Sequence, residues 1–149
     1  MKKLNKTLLT ATLLTALLVP GALHAEQAKG LNVIVNSDNK QTQAMAMVLS
    51  LVAIKKHHKE VHMILCGKAG NLADKNIKGL PVKRPNGTTP SAKDHLKKII
   101  KLGATVQVCP LYLPNSGKDK SILLEGITVA KPPAIAAKLL DTAYKNISF

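Results

Sequence analysis

Short runs of apolar residues recur along the chain, separated by turns rich in Gly, Pro, Asn and Ser. Runs of about four to eight such residues are typical of buried β-strands. They predict five strands, at 31–36, 61–66, 104–109, 127–130 and 146–149. Because Pro110 has no backbone N–H, it cannot continue a central ladder, and the third strand should end at Cys109.

Segments with helical spacing of apolar residues lie between these runs. The longest predicts a helix over 41–57, whose core-facing stripe consists of Met45, Val48, Leu49 and Val52. Short helical segments are expected at 71–74 and 119–124, and irregular loops at 75–90 and 110–117.

Two further helices have clear start signals. One begins at 89–90, or at Ser91 with Asp94 as its capping partner, and ends at Gly103. Its expected inward-facing residues are Leu96, Ile99 and Ile100. The last helix opens with Pro132 and Pro133. Its expected apolar stripe is Ile135, Leu139 and Ala143.

Strands that alternate with helices predict a single α/β domain. The sheet is expected to be mainly parallel, five-stranded and covered by helices on both faces. In open sheets of this kind, ligands bind beyond the carboxyl ends of the strands. The candidate site residues at those ends are Ser37, Asp38, Cys66, Lys68, Cys109, Asn115, Ser116 and Lys131.

The first residues have the features of a cleavable signal peptide. Lys2, Lys3 and Lys6 precede an uncharged apolar stretch over 7–19, and Ala25 is a small residue before a polar segment. The apolar stretch is shorter than the roughly 20 residues of a membrane span. We therefore expect cleavage after Ala25, with residues 26–149 forming a periplasmic domain that has no stable membrane anchor.

Removal of residues 1–25 takes away three lysines and no acid, so the net charge falls from +14 to +11. A field of this sign attracts anions and acidic surfaces. Nucleic acid is not an expected partner, because the only aromatic residues are Tyr112, Tyr144 and Phe149 and single-strand binders need interleaved stacking platforms. The scattered lysines are more typical of a solvated surface.

The two cysteines, Cys66 and Cys109, both close a predicted strand at the edge where the site is expected. Cysteine is also a common buried residue that serves only for packing. Sulfur chemistry requires the thiolate form. Because Pro110 removes the next backbone donor, a thiolate at Cys109 would need donors from 115–117 or a cation such as Lys68 or Lys131.

Four histidines, His57, His58, His62 and His95, follow the predicted signal peptide, but their spacing does not match a metal site. The first two are adjacent on a helix and therefore point about 100° apart. No Cys-x-x-Cys cluster or carboxylate completes a ligand set. We expect solvated histidines, no metal and no cofactor.

The segment 96–110, a helix followed by Gly103, a strand and Cys109-Pro110, resembles the corresponding segment of the DsrE/DsrF-like family. The layout from 31 to 149 resembles that family as well. The resemblance implies a three-layer α/β/α sandwich, a homotrimer or homohexamer, and transfer of sulfane sulfur as a persulfide on Cys109. The chain differs from the family pattern in its signal peptide, in Cys66, and in the Pro-rich loop after Cys109.

These observations lead to one hypothesis and two alternatives. The hypothesis is an exported protein of this family that binds or relays sulfur through Cys109, with donor and acceptor undefined. The first alternative is a non-enzymatic oligomeric binding module in which Cys109 only packs. The second is a thiol–disulfide or metal-handling protein that uses Cys66 together with Cys109.

Overall fold

The computed structural model describes residues 27–149. The predicted signal peptide, residues 1–25, lies outside the described residues. None of the helices within 27–149 combines the length and the hydropathy of a membrane span.

A five-stranded parallel sheet forms the centre of the domain, which confirms the predicted fold class. Its strands are β1 (Gly30–Val35), β2 (Glu60–Leu65), β3 (Thr105–Val108), β4 (Ile127–Val129) and β5 (Tyr144–Ser148). Their spatial order is β4-β3-β2-β1-β5, and every neighbouring pair is parallel. All five carboxyl ends therefore meet at one edge of the sheet.

Helices cover both faces of the sheet. They are α1 (Lys40–His57), α2 (Ala92–Lys101), α3 (Tyr112–Asn115) and α4 (Pro132–Leu140). Helices α1 and α2 pack together over the face that carries Val33, Met63 and Val106. Helix α4 lies on the other face, where the Asn32 side chain donates to the carbonyl of Lys138. The arrangement is a three-layer α/β/α fold.

The prediction for the inward face of α1 was wrong. Met45, Leu49 and Val52 are 52%, 40% and 40% exposed, and Val48 is only half-buried. The buried residues are Gln43, Ala46, Met47, Ser50 and Ala53. Small side chains on this face allow α1 to approach α2 and the sheet closely. The Ser50 hydroxyl can be buried there because it donates to the carbonyl of Ala46.

The termini of α2 follow the predicted signals. Ser91 accepts from the backbone N–H of Asp94, and the Asp94 carboxylate accepts from the N–H of Ser91, which completes the capping box. After α2, Gly103 adopts a φ of 92°, which explains why the helix ends there.

Two short segments differ from the prediction. The first helical turn after β2 is a 3-10 turn at Gly67–Leu72, earlier than expected, because it begins directly after the strand-end Cys66. The segment 110–117, predicted as an irregular loop, contains α3. This single helical turn is closed by its own side chains, since Asn115 donates to the carbonyl of Leu111 and Ser116 to that of Leu113.

The irregular segment 75–90 is anchored by a buried lysine. Lys93, only 5% exposed, donates its ammonium group to the carbonyls of Asp74 and Ile77. Asp74 is 1% exposed and accepts from Nζ of Lys118 at 2.6 Å and from the N–H of Asn76 at 2.8 Å. Buried charges require partners of this kind, so the network fixes the start of the loop beside α2.

Candidate functional site

The two cysteines lie opposite each other on neighbouring strands. Leu65 of β2 is in register with Val108 of β3, so the next residues along the chain are Cys66 and Cys109. The backbone N–H of Cys109 donates to the carbonyl of Leu65 at 2.9 Å, and that of Cys66 to the carbonyl of Val35 at 2.8 Å. The ladder of the sheet therefore continues through both residues. Both are free, half-buried thiols.

Cys109 lines a cleft of about 460 Å³ beyond the carboxyl ends of the strands. The turn after Cys109 is closed by the N–H of Tyr112, which donates to the Cys109 carbonyl at 3.0 Å, and α3 follows at once. One wall therefore comes from α3 and the other from the 3-10 turn after β2. The lining residues are Gly67, Lys68, Asn71, Cys109, Leu111, Tyr112, Asn115 and Ser116.

Tyr112 holds the two walls together. Its ring lies against Gly70, where an added Cβ would come within 2.2 Å of the ring carbon Cδ2. Its hydroxyl donates to Oδ1 of Asn71 at 2.9 Å. Burial raises the pKa of the Tyr112 hydroxyl, so it remains a neutral donor. A glycine is required at position 70 because the aromatic ring occupies the space of a side chain.

The electrostatics of the thiol pair distinguish the two cysteines. Burial, the charge of Cys109 and a hydrogen bond with Cys109 raise the pKa of the Cys66 thiol to about 11. Cys66 is therefore protonated at neutral pH, and its S–H is available to donate to the sulfur of Cys109.

Four of the eight predicted site residues line the cleft, and the other four lie beside it or away from it. Cys109, Lys68, Asn115 and Ser116 line the cleft, whereas Cys66 lies beside Cys109 without lining it. Asp38 accompanies them only indirectly, through an ion pair with Lys68 at 3.5 Å in which both side chains are largely exposed. Ser37 caps the start of the next segment, because its hydroxyl accepts from the N–H of Asn39. Lys131 is exposed, precedes α4, and does not line the cleft.

The expected donors to Cys109 are largely used elsewhere. Asn115 and Ser116 close α3 with their side chains, as described above, and Lys68 pairs with Asp38. Cys66, which the sequence paired with Cys109 only in the thiol–disulfide or metal-handling alternative, lies beside Cys109. Leu111, Asn71 and Tyr112 were missed as lining residues. Only the rarity of aromatic residues singled out Tyr112 in the sequence.

The expectation of solvated histidines was right for His57 and His58, which are exposed, and wrong for His95. His95 is 4% exposed and contacts Arg84. Burial and the Arg84 charge lower the pKa of His95, so the neutral ring can accept from the guanidinium. His62 is half-buried beside Glu60 and the Tyr144 ring. Within 27–149, no three His, Cys, Asp or Glu side chains form a group that could hold a metal ion.

Solved structures with the same architecture provide the comparison for this site. A protein of unknown function, MTH1491 from Methanobacterium thermoautotrophicum, has a TM-score of 0.57 and 12% identity over 80% of this chain and 99% of its own. The ychN protein from E. coli has a TM-score of 0.60 and 15% identity over 80% and 99%. BT1422 from Bacteroides thetaiotaomicron, a conserved protein of unknown function, has a TM-score of 0.59 and 21% identity over 81% and 95%.

This chain has the fold of those three proteins. No protein-family model matches its sequence, and no curated protein gives a significant match. The similarity therefore concerns the architecture.

Proposed function

We propose that this chain is an exported protein of the DsrE/DsrF-like family that carries sulfane sulfur as a persulfide on Cys109. The observation that carries the proposal is the position of Cys109, a half-buried thiol at the end of β3 that opens into a cleft of about 460 Å³. Ligands of parallel α/β sheets bind at this edge. A cysteine that served only for packing would not need a cavity in front of its sulfur.

The chemistry of loading follows from the two thiols. The Cys109 thiolate attacks the outer sulfur of a donor R–S–S–H, the S–S bond of the donor breaks, and R–S⁻ leaves. The outer sulfur remains on Cys109 as a persulfide. Cys66 lies beside Cys109 and is protonated at neutral pH, so the sulfur is expected on Cys109. Lys68 adds a positive charge to the mouth of the cleft.

The volume and lining of the cleft favour a small-molecule sulfur donor. A volume of about 460 Å³ falls within the range of small-molecule sites. Leu111 is 67% exposed and gives the cleft an apolar wall, while Lys68 and Asn71 give it a polar one. A low-molecular-weight persulfide or polysulfide fits this combination.

Sulfur loading tests the proposal directly. The protein from residue 26 onward, reduced and free of oxygen, is treated with sodium tetrasulfide, passed through a desalting column and analysed by intact-mass and peptide mass spectrometry. Cys66→Ser, which cannot consume the added sulfur through a second thiol, should gain one sulfur atom on Cys109. Cys109→Ser should not gain a sulfur atom at the rate seen for Cys66→Ser.

Limited alkylation supplies an independent measurement. Cys109 should react first and faster than Cys66, because it opens into the cleft and because the pKa of Cys66 is raised. Equal labelling of the two thiols, or labelling of Cys66 alone, would count against the proposal and in favour of a non-enzymatic binding module.

A thiol–disulfide function is the second candidate, and the register of β2 and β3 favours it. That register places Cys66 opposite Cys109. It predicts a Cys66–Cys109 disulfide that forms with a small disulfide oxidant and needs no sulfur donor. Oxidation by glutathione disulfide, followed in the same mass spectra, distinguishes it from the sulfur-carrying function.

A further inference from the structure

The backbone geometry at the sheet edge brings the two cysteine side chains to the same side of the sheet. Leu65 and Val108, the preceding residues, are in register and both lie fully buried in the core beneath α1 and α2. Side chains alternate along a strand. Cys66 keeps an extended conformation with φ −112° and ψ 159°, and Cys109 still donates to the ladder, so both should turn away from that core.

The spacing of the two residues is compatible with a covalent bond between them. Neighbouring strands lie about 4.8 Å apart, within the Cα separation that a disulfide accepts. Only Cys109 lines the cleft, however, so a donor in the cleft meets Cys109, with Cys66 beside it.

We propose that Cys66 is the resolving thiol that releases the sulfur held on Cys109 as sulfide, an inference that rests on the proposed function of Cys109. The sulfur of Cys66 attacks the Sγ of Cys109, and a Cys66–Cys109 disulfide forms. The S–S bond to the outer sulfur breaks, and the outer sulfur leaves with the electron pair as hydrosulfide. The proton of Cys66 passes to the solvent or to the leaving sulfur.

No external oxidant is needed for this step. The sulfur of Cys66 is oxidised when it enters the disulfide, and the outer sulfur is reduced to sulfide by the same two electrons. A dithiol reductant then returns the disulfide to two thiols, which closes the cycle. The protein would thereby convert sulfane sulfur and a dithiol into sulfide and the corresponding disulfide, one sulfur atom at a time.

The protonation of Cys66 limits the rate of release. The attacking species is the thiolate, and a pKa of about 11 leaves only a small fraction of Cys66 in that form at neutral pH. As long as the pH is below the pKa, the thiolate fraction rises about tenfold with each unit of increasing pH. Besides burial, the group that acts on Cys66 is Cys109 on the neighbouring strand. Lys68, two residues farther along, is exposed and paired with Asp38.

The experiment follows a single release event from loaded protein. Wild type, Cys66→Ser and Cys66→Ala are loaded with tetrasulfide without oxygen, desalted, and incubated without donor or reductant. Free sulfide is measured together with intact mass. Wild type should lose the added sulfur, release one sulfide per loaded Cys109 and finish two hydrogen atoms lighter than the reduced protein. Both variants should keep the sulfur on Cys109.

The pH dependence gives a second measurement. The release rate of the wild type should change with pH as the thiolate fraction of Cys66 changes, while both Cys66 variants remain slow at every pH. Wild type that keeps its persulfide as long as the variants do would overturn the inference, as would sulfur recovered on Cys66 instead of a disulfide. If Cys66→Ser and Cys66→Ala gain no sulfur at all, the proposed function of Cys109 itself has failed.

Discussion

Gly70 is the position at which one added methyl group should disturb the cleft. A Cβ at Gly70 would lie 2.2 Å from Cδ2 of Tyr112, well inside van der Waals contact. Overpacking of this kind costs about 1–3 kcal/mol of folding free energy. Gly70 does not have a positive φ, so without the ring the same change should stabilise the protein by about 0.4–1 kcal/mol, through the entropy of the unfolded chain.

The two contributions have opposite signs, so a double-mutant cycle separates them. In the wild type, Gly70→Ala should lower the free energy of unfolding by about 1.3 kcal/mol, the difference between the middle values of the two effects. The melting temperature should fall by about 3–8 °C for a domain of this size. In a Tyr112→Ala background, Gly70→Ala should instead raise the free energy of unfolding by about 0.4–1 kcal/mol.

Urea unfolding of the wild type, Gly70→Ala, Tyr112→Ala and the double variant measures these differences. Sulfur loading of Gly70→Ala should be slower than that of the wild type, because displacement of Tyr112 opens the wall of the cleft beside Asn71. The reasoning is refuted if Gly70→Ala lowers the free energy of unfolding equally in both backgrounds, since the loss would then not come from the ring.

Three further predictions concern the rest of the molecule. Burial opposes ionisation of Asp74, but the bonds from Lys118 and Asn76 outweigh it and lower the pKa of Asp74 below 3.8. The stabilisation is complete above that value and is lost as the pH falls through the lowered pKa. Asp74→Asn should therefore lose most stability near neutral pH, and its difference from the wild type should shrink in urea titrations at acid pH. We also propose self-association, and light scattering should give the mass of a trimer or hexamer; a monomer at micromolar concentration would contradict this. N-terminal sequencing of the exported protein should begin near Glu26, and an intact chain from Met1 would contradict export.

The order and type of the main elements could be predicted from local sequence. A parallel strand in the core needs a continuous apolar run, and a helix needs a cap. The signal for each element is therefore contained within a few consecutive residues. The capping box of Ser91 and Asp94 and the turn at Gly103 are examples. The position of both cysteines at the sheet edge followed from the same local reasoning, because Pro110 and Gly67 end their strands.

Relations between segments were decided by the tertiary structure. Helix α1 is apolar on more than one face, and the close fit of Ala46, Met47, Ser50 and Ala53 against α2 and the sheet determined which face is buried. Strand order made β2 and β3 neighbours and thereby made Cys66 the partner of Cys109. The helix α3 depends on Tyr112 packing on Gly70, a residue 42 positions earlier in the chain. Contacts between residues so far apart in sequence leave no local pattern, because each side chain's environment is supplied by another element.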